Sequence, residues 1–173
     1  DIAFYLVKVE TIQIGDSPLA PLFNVLAGPN QQEKEIGEEK KEWAARHYKR
    51  LEFWKGLLSR SQGKTRLFSN ITPGRYSYIQ TGAGKSGITF AYVIHRNRGQ
   101  VDFDIDYDGE TGKLNKVIFD TLYAQRQSIE KEFGEVLEWE RLDNRRACRI
   151  RKRFTEAGLS TPEKWPVLQD KMI

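Results

Sequence analysis

Four aspartates alternate along one stretch: Asp102, Asp104, Asp106 and Asp108 interleave with Val101, Phe103, Ile105 and Tyr107. In a strand, residues two apart share a face, so the four carboxylates would lie together. Clustered carboxylates can hold Mg²⁺ or Ca²⁺ and could serve a metal-dependent phosphoester hydrolase. From Asp104 the spacing D-x-D-x-D-G also imitates an EF-hand loop, but the twelfth position is Asn115 where a Glu belongs. The plainer reading is a solvated strand face, its charges held about 7 Å apart by the pleat. Regular alternation spreads carboxylates instead of converging them, so tight metal binding is not expected.

The opposite charge gathers later. Arg145, Arg146, Arg149, Arg151, Lys152 and Arg153 fall within nine residues, and Arg149, Arg151 and Arg153 would share one strand face. That face could meet phosphates, with backbone contact and no base readout. It could equally lie beside the aspartates as cross-strand ion pairs. In the first case Lys85, Arg96 and Arg98 join Arg145, Arg146, Arg149, Arg151 and Arg153 as the nucleic-acid-binding set.

Gly82-Ala83-Gly84-Lys85-Ser86-Gly87 satisfies G-x-G-x-x-G. A dinucleotide site needs a helix directly after the glycines, whereas Ile88-Thr89-Phe90-Ala91-Tyr92-Val93 reads as a strand. A glycine-rich hairpin turn is expected instead, with an anion nest around Lys85 as a middle reading. His47 and His95 are too scattered for a metal site, and Cys148 alternates into the apolar side as a core thiol. No Ser–His–acid or Cys–His arrangement stands out, so no catalytic residue is assigned and no cofactor is expected here.

These residues need a sheet to position them. Residues 76–81, 87–95 and 100–107 read as three strands joined by Gly-bearing turns, an antiparallel meander. Residues 136–142 and 146–154 add two more, and residues 66–68 a short one. Trp43, His47, Leu51, Trp54 and Leu58 mark one helix face; Leu114, Ile118, Leu122, Ile129 and Phe133 mark another, in a single helix closed by Gly134. Ser160-Thr161-Pro162-Glu163 is a helix start, with Trp165, Leu168 and Met172 as its docking face. The fold class is therefore α+β: an antiparallel sheet of five or more strands with two main helices packed on it. Upstream, residues 4–14 and 19–27 form a hairpin around Gly15-Asp16-Ser17-Pro18, with a slip in alternation near Thr11 and Pro21 favouring an edge.

Composition bounds the rest. Of 173 residues 39% are hydrophobic and 12% aromatic, enough for a real core and against disorder. A net charge of +4 is compatible with nucleic acid without requiring it. A single cysteine excludes a disulfide framework and fits a reducing cytoplasm. No run is apolar enough to cross a membrane. The chain begins Asp-Ile-Ala-Phe without Met, so a piece of a longer protein is expected.

From Leu51 onward the chain resembles a bacterial and archaeal family catalogued as a domain of unknown function, number four-two-six-eight. The resemblance rests on Phe53-Trp54 with Leu57, Gly82-x-Gly84-x-Ser86-Gly87 before a strand, and Asn115-Lys116 with Phe119-Asp120 and Leu122. It continues through Ile129-Glu130, Phe133-Gly134, Leu137-x-Trp139-Glu140-Arg141-Leu142 and residues 146–150. Such domains sit C-terminal to a restriction-endonuclease-like core of the PD-(D/E)XK type. The resemblance implies that residues 1–29 are a hairpin closing that core, residues 30–50 a helical linker and residues 51–173 an accessory α+β domain. Any Mg²⁺ would belong to the upstream core. The expected function is the accessory C-terminal domain of a DNA-processing or defence protein, binding DNA or a partner and doing no chemistry. The alternatives are the hydrolase on the aspartate face and a subunit-assembly module pairing homo-oligomers.

Overall fold

The structure, a computed structural model, describes residues 4–28 and 31–173, without the side chains of residues 31–39. The chain divides into two compact units between Ala45 and Arg46. In the first, β1 (Leu6–Ile12) and β2 (Ala20–Ala27) pair antiparallel. Their register breaks between Leu6 and Val7, not near Thr11 where the sequence alternation slips. Val7 faces Val25 and Val9 faces Phe23, giving the ribbon one apolar face; Lys8 opposite Asn24 and Glu10 opposite Leu22 line the other. All four residues of the apolar face are exposed.

Helix α1 (Gln31–Ser61) enters the second unit at Arg46. A five-stranded antiparallel sheet follows in the order β3 (Tyr78–Gly82), β4 (Ile88–Ile94), β5 (Gly99–Ile105), β7 (Cys148–Phe154), β6 (Glu138–Glu140). The meander and both later strands therefore form, each within two or three residues of the sequence reading except β6, which keeps only its middle. Residues 66–68 are turn, not strand; Phe68 leaves the chain there to stack on Tyr92 at 4.4 Å.

Alternation gives the sheet one apolar face. Ile88, Tyr92 and Ile94 of β4, Ile105 of β5, and Cys148, Ile150 and Phe154 of β7 are buried on it. The last turns of α1 cover one half with Phe53, Trp54 and Leu57, each wholly buried and each contributing roughly 2–3 kcal/mol by area. Helix α4 (Trp165–Met172), which continues a 3₁₀ turn opened by Pro162, adds Leu168 and Met172. Gly99 permits that approach, since a Cβ there would stand 2.9 Å from Met172 Sδ. A second cluster beneath helix α2 (Lys113–Tyr123) joins Phe119 to Ile105, Cys148 and Ile150.

The single helix expected over residues 114–133 is two: α2 ends at Tyr123 and α3 spans Arg126–Phe133. Gln125, at φ −103° and ψ 13°, leaves the helical region between them. The 3.6-residue pattern runs through the break, but tertiary bonds decide against it. After the bend, Glu130 Oε1 accepts from the Leu137 amide at 2.9 Å, Trp139 Nε1 at 3.0 Å and Arg126 Nε at 3.0 Å. Leu114 and Phe133, expected in the core, are about half exposed; the stripe instead uses Phe119 and the buried amide of Asn115. Trp43 is likewise exposed rather than part of the core face.

Candidate functional site

The second face of the sheet is polar. Register places its side chains in three rows: Tyr78, Val93, Gln100, Arg153; then Gln80, Ala91, Asp102, Arg151, Glu138; then Gly82, Thr89, Asp104, Arg149, Glu140. Aspartates of β5 thus stand between the small residues of β4 and the arginines of β7. Arg149 Nε donates to Asp104 and lies 3.7 Å from Asp102. Arg151 binds Glu140, and Arg153 reaches Glu138 at 3.1 Å and Glu140 at 3.4 Å. All three arginines thus make cross-strand ion pairs, but only Arg149 makes them with the aspartates of β5; Arg151 and Arg153 pair with the glutamates of β6.

Around the short Ala91 the face is hollowed into a trough of about 390 Å³. Ala91 and Val93 form its floor, Tyr78 and Gln80 one side, Arg149 and Arg151 the other, and His95 and Arg98 lie at one end. Asp102 and Gln100 are buried in its wall. Gln100 Nε2 donates to both Asp102 oxygens, at 2.9 and 3.1 Å. Burial pushes the Asp102 carboxyl above its usual range against the opposing pull of Gln100 and Arg149. At the end of the trough burial, and then the charge of Arg98, holds the His95 imidazole below its usual range.

The four aspartates do not share this face, as the alternation alone would have them do. Strand β5 ends at Ile105, and the chain turns away. Asp106 forms a bidentate pair with Arg146 at 2.7 and 2.6 Å. Asp108 accepts from Thr111 Oγ1 at 2.7 Å and from the amides of Glu110, Thr111 and Leu114, closing the loop that starts α2. Among the described residues no group of three or more His, Cys, Asp or Glu side chains is placed to hold a metal ion.

The basic candidates separate as well. Arg96 and Arg98 occupy the β4–β5 turn, beside Gly99 and Phe154 in register. Lys85 sits in the β3–β4 turn at the opposite end, 4.4 Å over the Tyr107 ring, and Arg145 precedes β7 at that same end. The glycine motif is that turn: Ala83 N donates to Ile88 O at 2.9 Å and β4 follows directly, with no helix to receive a pyrophosphate. Gly87, at φ +74°, has no room for a Cβ, which would meet Asp106 O at 2.5 Å.

Residues 49–173 match the family described as Domain of unknown function (DUF4268). The chain belongs to this family. No curated protein and no solved structure gives a significant match. The DUF4268 match begins three residues into the second compact unit, so the polar sheet face and its trough lie inside the family's own domain.

The second compact unit also carries a group that the sequence reading missed, with one member, Arg46, just ahead of the DUF4268 match. Arg46 and Arg50 lie one turn apart on α1, and Arg50 Nη1 donates to Arg75 O at 3.5 Å. Arg75 precedes two exposed rings, Tyr76 and Tyr78, whose centroids are 6.3 Å apart. Trp54 Nε1 fixes that segment to α1 by donating to Tyr76 O at 2.9 Å. Burial, then the charge of Arg46, lowers the Arg50 pKa. Burial followed by Arg50, Arg75 and Arg46 lowers that of His47. Among the described residues none of the three arginines has a carboxylate partner. The i, i+4 spacing of Arg46 and Arg50 was visible in the sequence, but only the fold adds Arg75 and the tyrosines.

Proposed function

We propose that the DUF4268 domain is a nucleic-acid-binding module without chemistry of its own, accessory to a restriction-endonuclease-like core in a DNA-processing or defence protein. The observation that carries the binding is the Arg46–Arg50–Arg75 cluster. Like charges held together are costly unless an anion joins them, and the phosphate backbone is such an anion. Tyr76 and Tyr78 beside it offer faces on which unpaired bases stack. The β7 arginines are a poorer surface for phosphates because their carboxylate partners already neutralise them. The restriction-endonuclease-like context comes from the family resemblance.

Fluorescence anisotropy with labelled single-stranded and duplex oligonucleotides tests this reading. Engagement of three phosphates by a single strand gives a log–log salt slope of about −2. The Arg46→Ala/Arg50→Ala double variant should bind at least about tenfold more weakly, whereas Arg149→Ala should change affinity little. In the same titration the depressed His47 pKa, followed by NMR, should rise as phosphates neutralise its neighbours. No binding at about 50 mM salt, or binding unaffected by the double variant, would sink the proposal.

A second reading, subunit assembly, draws on the ribbon. Val7, Val9, Phe23 and Val25 form an exposed apolar strip, and such strips mark association surfaces.

A further inference from the structure

Arg46, Arg50 and Arg75 meet where helix α1 passes the segment that leads into β3. Arg46 and Arg50 are four residues apart on α1, so their side chains leave one face about 5–6 Å apart at Cβ. Two bonds bring Arg75 to them: Arg50 Nη1 donates to Arg75 O at 3.5 Å, and Trp54 Nε1 to Tyr76 O at 2.9 Å. Trp54 is wholly buried, so the backbone that carries Arg75 is anchored to the core. All three charges act on one imidazole, His47, where Arg50, then Arg75, then Arg46 add to burial in lowering its pKa. Arg50 Nε is buried and Nη1 holds the Arg75 carbonyl, so this guanidinium offers a ligand only its tip. Arg46 and Arg75 are exposed and keep their whole forks.

We infer that this cluster holds the terminal phosphate of an unpaired nucleic-acid strand, with the end of the strand stacked on Tyr76 and Tyr78. The inference rests on the binding function proposed above and adds which part of the strand is held. An internal phosphodiester carries one negative charge, and both of its ester links must continue past the site. A terminal phosphomonoester carries about −1.5 to −2 at pH 7 and has three strong acceptor oxygens. Those oxygens can accept from three guanidiniums at once, each by a charge-assisted bond. A run of diesters is matched instead by cations laid out along a groove, whereas these converge on one imidazole. Tyr76 and Tyr78 are 73% and 48% exposed and follow Arg75 directly in the chain. Their rings give the last bases a stacking surface, which favours a strand over free phosphate. In a duplex the last base stays paired, so the single strand is the form that fits.

The test uses the full chain and fluorescent oligothymidines that differ only at one end, with the dye on the other. One pair compares a 5′-phosphate with a 5′-hydroxyl, the second a 3′-phosphate with a 3′-hydroxyl. In at least one pair the phosphorylated strand should bind about tenfold more tightly, the gain from one further charge-assisted bond. The pair that shows it identifies the end that is held. Arg75→Lys, at an exposed loop position, keeps the charge and loses the fork. It should abolish the preference while changing the affinity of hydroxyl-ended strands by less than about twofold. Arg46→Lys, on the exposed surface of α1, is a second variant with the same expected result. Equal affinity within both pairs, or a preference that survives both variants, overturns the inference while leaving the nucleic-acid function standing. Thymidine monophosphate competing as well as the phosphorylated strand overturns the choice of a strand. Failure of every oligonucleotide to bind overturns both proposals together.

Discussion

Asp108 shows how a charged residue can have a role that its sequence pattern conceals. It ends an alternating acidic run, yet its carboxylate collects a hydroxyl and three backbone amides at the start of α2. The Thr111 side-chain bond, then the Thr111 amide, depress its pKa to about 2. A depressed folded-state pKa means that ionised Asp108 stabilises the fold above its unfolded value of about 3.9. That contribution is lost as pH falls toward about 2. Asp108→Asn should therefore lower the melting temperature at neutral pH and flatten the acid limb of stability over that window. An unchanged acid limb would mean that the carboxylate is not the group holding the loop. Asp102 has the opposite sign: burial raises its pKa, so its ionisation at neutral pH works against folding.

At the scale of elements, the strands were legible because period-two alternation survives in β4, β5 and β7, where one face is buried and the other is not. The helix break at Gln125 was not, because the bonds of Glu130 to residues 137 and 139 are invisible to a local pattern. The trough was equally hidden: it depends on which strands become neighbours, and only that adjacency sets Asp102 and Asp104 against Arg149. The loop between β6 and β7 gives another case. Lys116 of α2 extends its ammonium into that loop, where four carbonyls share its three N–H groups: Arg141 O at 2.6 Å, Leu142 O at 3.0 Å, Arg145 O at 2.8 Å and Ala147 O at 3.2 Å. Leu142 adopts φ +55°, which a leucine rarely takes. The lysine bonds hold it there. Lys116→Met should leave those carbonyls short of donors and destabilise the domain by roughly 2–4 kcal/mol. Leu142→Gly should raise stability by about 1 kcal/mol through relief of the left-handed strain. Chemical denaturation of both variants measures this; a neutral Lys116→Met would show that water satisfies the loop.

For the molecule as a whole, strand order matters more than any single bond. Strands β3, β4 and β5 are joined by short turns, whereas β7 reaches its place between β5 and β6 only after residues 106–147 have been traversed. Local pairings close first because short loops lose less entropy. Pulse-labelled hydrogen exchange during refolding should protect the β4 amides before those of β7, and simultaneous protection would contradict this order. Until β7 docks, β5 has a bare edge with hydrogen-bonding groups open to any passing strand. Its Asp102 and Asp104 then have no arginines beside them. As a chain emerges from the ribosome, these carboxylates would face those of an identical neighbour and repel it, guarding the growing sheet against self-pairing until its own last strand arrives.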